Sequence, residues 1–176
     1  ALAAAYQDLA RQWGVADPPV AVRSSAVAED QADASFAGQY DTVLGVRGAQ
    51  AVAAAVRRCW ASLFTDRAVT YRASRGYSTA GGAMAVGVQK LVNARAAGVM
   101  FTINPDTGNP FEMVVEGNWG LGESVVSGLV TPDRFVIRKQ DLTVIRQQVG
   151  PKAQACYPGP DGVQVVLTPP DMQARL

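Results

Sequence analysis

Residues 20–46 read VAVRSSAVAEDQADASFAGQYDTVLGV. The short apolar run Val20-Ala21-Val22 follows Pro18-Pro19 and predicts a strand. It leads directly into Arg23-Ser24-Ser25. Residues 26–38 are small, acidic and polar and read as a loop. Gln39 to Val46 then predicts a second strand, with β-formers at Tyr40, Thr42, Val43, Leu44 and Val46. An arginine at the end of a buried strand is held by its backbone and presents a rigid guanidinium fork. A loop of small residues with a glycine, here Gly38, lets backbone N–H groups approach an anion closely. Ser35 and Thr42 add hydroxyl donors. The stretch therefore has the makings of an anion site, although no G-x-x-x-x-G-K-[ST] phosphate motif occurs. The same residues also allow a plainer arrangement, with Arg23 paired to Glu29 or Asp30 on a surface loop.

Upstream, Leu2, Tyr6, Leu9 and Trp13 fall on one helical stripe over residues 1–13, stopped by Gly14 and Pro18-Pro19. Downstream, Val52, Val56, Cys59, Trp60, Leu63 and Phe64 line one face of another helix. Asp66 is the expected cap of a following helix to about Arg75, with Val69 and Tyr71 as its bulky contacts. Gly76 and Gly81-Gly82 interrupt the pattern. Residues 83–92 (AMAVGVQKLV) predict a buried strand running into a connector. Strands are expected at 98–102 and 111–116, separated by the turn-rich Asn104-Pro105-Asp106-Thr107-Gly108-Asn109-Pro110. Gly120 to Gly128 reads as a helix or turn. Residues 133–139 and 142–148 read as a hairpin pair. From Pro151 the chain looks loop-like, with one strand near Val163 to Leu167 and a helix opening at Asp171. Helices and strands mix throughout, so the expected fold class is α+β, in two small mixed α/β lobes. The boundary is expected near residues 92–96, giving an N-terminal lobe at 1–92 that holds the loop and a C-terminal lobe at 93–176.

The 176 residues are 48% apolar and 18% charged, which suits a globular chain with a real core. A net charge of +1 gives no reason to expect nucleic acid or an anionic membrane as partner. Cys59 and Cys156 match no metal spacing, and Cys59 lies on an apolar face. No apolar stretch reaches transmembrane length and no leader is visible, so cytoplasm is the expected compartment. The chain has no histidine, which excludes imidazole-based catalysis by its own residues.

The 20–46 stretch closely resembles the signature of the ATP-binding domain shared by phosphoenolpyruvate synthase, pyruvate phosphate dikinase and rifampin phosphotransferase. The resemblance continues through RRCWASLFTDRAVTYR (57–72), AVGVQKLV (85–92), AAGVMFT (96–102) and WGLGESVVSGLVTPDRFVIRK (119–139). It covers roughly residues 20–150, with the motifs in the family's order. It implies an ATP-grasp-like fold and a transferase of the kinase or dikinase type. By the same resemblance Arg23 contacts ATP phosphates, with Gly38 and Thr42 beside it. Gln89 lies next to the adenine, and Lys90, Leu91 and Val92 supply backbone and apolar contacts to the base. Glu123 is a candidate for the ribose hydroxyls. For Gln89 a tie to backbone remains open, for Glu123 a dipole-stabilised place at a helix N-terminus, and for Arg58 either a phosphate contact or a solvated helix face.

The resemblance also implies what this stretch of chain lacks. The family's phosphate-binding lysine precedes the region matched here, and no lysine occurs before Lys90. A glutamate and a Gln-x-Arg motif that bind Mg²⁺ and phosphate have no counterpart after Leu167. The phosphoacceptor histidine belongs to another domain. The expectation is an ATP-binding part of a phosphotransferase, inactive alone, with Mg²⁺ ligands, a phosphohistidine-carrying domain and an acceptor-substrate domain elsewhere in the polypeptide or in a partner subunit. The alternative expectation is a domain that keeps the fold for interaction or regulation without catalysis.

Overall fold

Helix α1 (Leu2–Trp13) ends where Gly14 takes a left-handed conformation, φ +64°, so that its N–H reaches back to close the last turn. Strand β1 (Val20–Ala26) runs longer than its apolar start implies. Two-residue strands β2 (Asp30–Gln31) and β3 (Ala34–Ser35) pair antiparallel inside the stretch expected to be loop. Strand β4 (Thr42–Val46) begins three residues later than the β-formers suggest. Helices α2 (Ala49–Ala61) and α3 (Asp66–Ser74) follow, joined by a 3₁₀ turn at Ser62–Phe64, and β5 (Met84–Lys90) returns to β1. The cap of α3 is Thr65, whose hydroxyl accepts from the Ala68 N–H, and not Asp66, which occupies the first helical turn.

The structure is a computed structural model that describes residues 1–26, 30–31, 34–36, 38–78 and 82–175, with only the backbone of 30, 31, 34 and 35. It forms two compact units, Ala1–Leu91 with Pro160–Gly162, and Val92–Gly159 with Val163–Leu176.

In the first unit β1 is the central strand of an antiparallel sheet ordered β4-β1-β5. Alternation along β1 sends Val20, Val22 and Ser24 inward and turns Ala21, Arg23 and Ser25 to the opposite face. The inward face packs on Val52, Ala55, Val56 and Cys59 of α2 and on Tyr6 of α1. Burying each such valine is worth about 1.5–3 kcal/mol. Tyr6 pins the helix ends: its hydroxyl donates towards Asp17 Oδ1 (2.7 Å) and the Pro18 carbonyl (2.9 Å) and accepts from the Gly48 N–H (3.1 Å). β5 is half-exposed rather than buried, because only one of its faces meets the helices.

The second unit is built on an antiparallel sheet ordered β6-β7-β8-β9: β6 (Ala96–Phe101), β7 (Glu112–Trp119), β8 (Asp133–Arg138) and β9 (Val144–Gln148). A four-residue helix, α4 (Glu123–Val126), follows β7. Beyond Pro151 the chain is not merely loop: β10 (Gln154–Gly159) pairs with β11 (Gly162–Leu167) before the short α5 (Pro170–Gln173). Asn118 ties these pieces together, donating to Ser124 Oγ and to the Gln154 carbonyl, both at 2.8 Å. The turn at Asn104 is also built in: buried Asn104 donates to Glu112 Oε2 at 2.6 Å, and its own Oδ1 accepts from the Asp106 N–H at 3.0 Å. Among the described residues no helix is long and apolar enough to cross a membrane.

Candidate functional site

Arg23 stands in the middle of β1, not at its end, with a strand on either side. It pairs across to Thr42 on β4 and to Gly87 on β5. Its side chain is exposed, and among the described residues it makes no hydrogen bond or ion pair. Of the alternative partners, Glu29 lies outside the described residues, as does the side chain of Asp30. Thr42 is exposed on the same face. Gln89 pairs with Ala21, which places it on that face two residues along β5 from Gly87. At Gly87 an added Cβ would touch Arg23 Cγ at 3.7 Å, so the arginine stem lies over the bare glycine. A guanidinium, a hydroxyl and an amide thus share one open sheet face.

Gly38 lies in the turn leading to β4, at φ +72°, a conformation that favours glycine, with nothing within 4 Å of where a Cβ would be. Ser35's side chain and all of Ala37 lie outside the described residues. The rest of the turn is anchored. Phe36 is fully buried and stacks on Tyr40 at 5.9 Å, with Tyr71 and Tyr77 edge-on at 4.8 and 5.5 Å. Arg58 does not stand free: its Nε meets Asp41 Oδ2 at 3.1 Å, beside Arg67 at 3.5 Å from Oδ1. Tyr71 is expected as a bulky contact of α3, but local pattern does not show that it and Arg67 grip this turn.

Lys90 turns its side chain to the other face, where its Nζ lies 5.4 Å from the centre of the Trp13 ring. The Leu91 N–H is taken by the Pro19 carbonyl (3.1 Å), and the Val92 carbonyl accepts from the Ala94 N–H (2.9 Å). Val92 itself is exposed. Glu123 is exposed at the first position of α4, in the second unit.

Burial pushes the Cys59 thiol up, an effect Asp41 reinforces and Arg58 opposes. Burial likewise raises the Cys156 thiol, with help from Glu123. Neither cysteine is therefore a poised nucleophile. Among the described residues no group of three or more carboxylates, cysteines or histidines could hold a metal ion.

The whole chain, residues 1–176, matches the family described as pyruvate phosphate dikinase, AMP/ATP-binding domain. The chain belongs to this family. It is 53% identical over 152 residues to a probable phosphoenolpyruvate synthase of Staphylothermus marinus, covering 85% of this chain and 18% of that protein. To the phosphoenolpyruvate synthase of Aeropyrum pernix it is 48% identical over 161 residues, 92% of this chain and 20% of the relative. To a probable phosphoenolpyruvate synthase of Methanocaldococcus jannaschii it is 46% identical over 176 residues, 99% of this chain and 15% of the relative. The chain thus spans a fifth or less of the length of these three relatives. The family read from the motifs is the family found, and the mixed helices and strands fit the expected α+β class.

Proposed function

We propose that this chain is the ATP-binding part of a dikinase-type phosphotransferase, which passes a phosphoryl group from ATP to a histidine on another domain and then to an acceptor. The observation that carries the reading is Arg23: an exposed arginine with no side-chain partner among the described residues, its backbone held in a central strand opposite Thr42 and its stem over Gly87, in a chain of an AMP/ATP-binding family. The strand fixes the backbone from which Arg23 extends, so only its side chain has to be ordered on binding. Arg23 would hold phosphate oxygens through its fork, the Thr42 hydroxyl would donate to a neighbouring oxygen, and Gly38 would let the backbone close in.

In this reading the fold is ATP-grasp-like, with an N-terminal lobe at 1–92 and a C-terminal lobe at 93–176. Gln89 lies beside the adenine. The Lys90–Val92 segment serves the base through Leu91 and Val92 side chains and through whichever backbone groups are not already bonded. Glu123 takes the ribose hydroxyls. Mg²⁺ would neutralise developing phosphate charge through ligands outside this chain. The acceptor histidine is also outside it, since the chain contains none. The compartment proposed is the cytoplasm.

The test is calorimetric titration of ATP into the intact protein, wild type against Arg23→Ala. Loss of a charge-assisted contact worth about 1.5–3 kcal/mol weakens binding roughly 10- to 150-fold. Equal affinity in the two proteins would sink the role given to Arg23. Absence of nucleotide binding in the wild type would leave a domain kept for interaction or regulation.

A further inference from the structure

The turn from Phe36 to Thr42 is held at nearly every described position except the two assigned to phosphate. Phe36 and Tyr40 are fixed by aromatic packing. The Gln39 carbonyl accepts from Arg67 Nη2 at 3.1 Å and Nε at 3.3 Å. Asp41 is held four ways. Its carboxylate takes Arg58 Nε at 3.1 Å and Arg67 Nη2 at 3.5 Å. Its N–H donates to Ser62 Oγ at 3.1 Å, and its carbonyl accepts from Cys59 Sγ at 3.4 Å. Ser62 is itself buried and donates to the Cys59 carbonyl at 2.6 Å. That leaves Gly38 and Thr42 exposed, with no hydrogen bond to the Thr42 hydroxyl among the described residues.

A carboxylate one residue from Thr42 is an odd neighbour for a phosphate. It repels an anion unless it is neutralised. Here two arginines and one carboxylate leave a net charge of +1 on the trio. The Arg67 fork grips the Gln39 carbonyl with two nitrogens, Nη2 and Nε, while the same Nη2 lies 3.5 Å from the Asp41 carboxylate; an ammonium has one nitrogen in place of that planar pair.

We propose that Asp41 is a positioning residue for ATP, acting through Arg58 and Arg67 to lock the Gly38–Thr42 turn in the shape that receives phosphate. The inference rests on the phosphate role given above to Gly38 and Thr42. Asp41 itself does not touch the ligand. The fork of Arg67 sets the spacing between the Gln39 carbonyl and the start of β4, and Arg58 keeps the carboxylate neutralised.

The experiment titrates ATP and, separately, adenosine into the intact protein, comparing wild type, Arg23→Ala, Asp41→Asn, Arg67→Lys and Arg67→Gln, with thermal melting of each. Asp41→Asn is expected to weaken ATP about five- to tenfold, with adenosine affinity unchanged. A merely structural residue would lower both affinities together through the folded fraction. Arg67→Lys is expected to behave like Arg67→Gln, because the fork and not the charge is needed. ATP binding by Asp41→Asn at wild-type strength or tighter, with Arg67→Lys also at wild-type strength, would mean that the arginines act as charges or contact phosphate directly, and overturns the proposal. Should Asp41→Asn melt below the assay temperature, Arg67→Lys decides alone: a selective loss of ATP affinity supports the proposal, and an unchanged affinity refutes it. If Arg23→Ala weakens ATP while Asp41→Asn and Arg67→Lys do not, only this inference falls. If the wild type binds no ATP, the reading of the whole site falls with it.

Discussion

Replacing Lys152 by methionine removes one charge from the best-buried ion pair among the described residues. Lys152 is 1% exposed, and its ammonium donates to the Asp133 carboxylate and to the Gly150 carbonyl at 3.0 Å. The Asp133 Oδ1 also accepts the Gly150 N–H at 3.0 Å. Methionine fills similar volume, so packing is largely kept. The carboxylate is left with a single amide donor at a site where water has little access. Breaking a buried pair by removing one partner costs about 3–5 kcal/mol, mostly because the remaining charge is uncompensated. Adding Asp133→Asn removes that charge while its side-chain oxygen still accepts from Gly150. The double variant should therefore recover most of the loss, with a coupling of at least about 2 kcal/mol. Denaturant titration followed by hydrogen-exchange mass spectrometry on the β7 and β8 peptides reads the effect where it occurs. A loss below about 1 kcal/mol in Lys152→Met, or simple additivity in the double variant, would refute the view that the pair is dry and mutually dependent.

Tyr6→Phe strands the groups around Asp17, Pro18 and Gly48 and should cost about 1–3 kcal/mol in chemical denaturation. Its pH signature is specific: burial and then the bond to Asp17 raise the Tyr6 hydroxyl above 10.0, so the folded protein holds that proton longer than the unfolded chain. The contribution is complete below pH 10 and is lost as pH rises through the raised value, so the stability gap between wild type and Tyr6→Phe should narrow only in strongly alkaline buffer. Cys59 and Cys156, 0% and 1% exposed with raised thiols, should resist a thiol reagent at pH 8 in the native protein and react promptly in denaturant; fast native labelling of either would contradict the packing described.

The sequence carried the helices well because their apolar faces recur at helical spacing and stop at clear signals: the stripe from Leu2 to Trp13 ends at Gly14 as read. The sheet strands showed their cores but not their limits. Ser24 and Ser25 look like loop residues by composition, yet they continue β1 because β5 supplies a partner for every residue from Val20 to Ala26. The reverse occurred at Gln39 and Tyr40, which have strand-like neighbours but are pulled into a turn by the Phe36 stack and by Arg67. Strand β10 was missed because its apolar run, Ala155-Cys156-Tyr157, is short and closed by Pro158-Gly159; it is a hairpin arm paired with β11 across Pro160-Asp161, and its contact with Gly120 is a tertiary one that local pattern cannot reveal. For the candidate site, the motif pointed to Arg23 and Thr42, and only strand register put them opposite each other. Nothing in the one-dimensional pattern could show that Asp41 faces two arginines from different helices.

The direction taken by Arg23 is set in part by a residue with no side chain. An alanine methyl at position 87 would sit in ordinary contact with the arginine stem, at 3.7 Å from Cγ, whereas a branched side chain there would have to displace it. Since the Arg23 side chain has no partner among the described residues, moving it would leave stability almost untouched. A search for deleterious substitutions by melting temperature would pass over position 87, although a branched residue there would redirect the arginine proposed to hold phosphate.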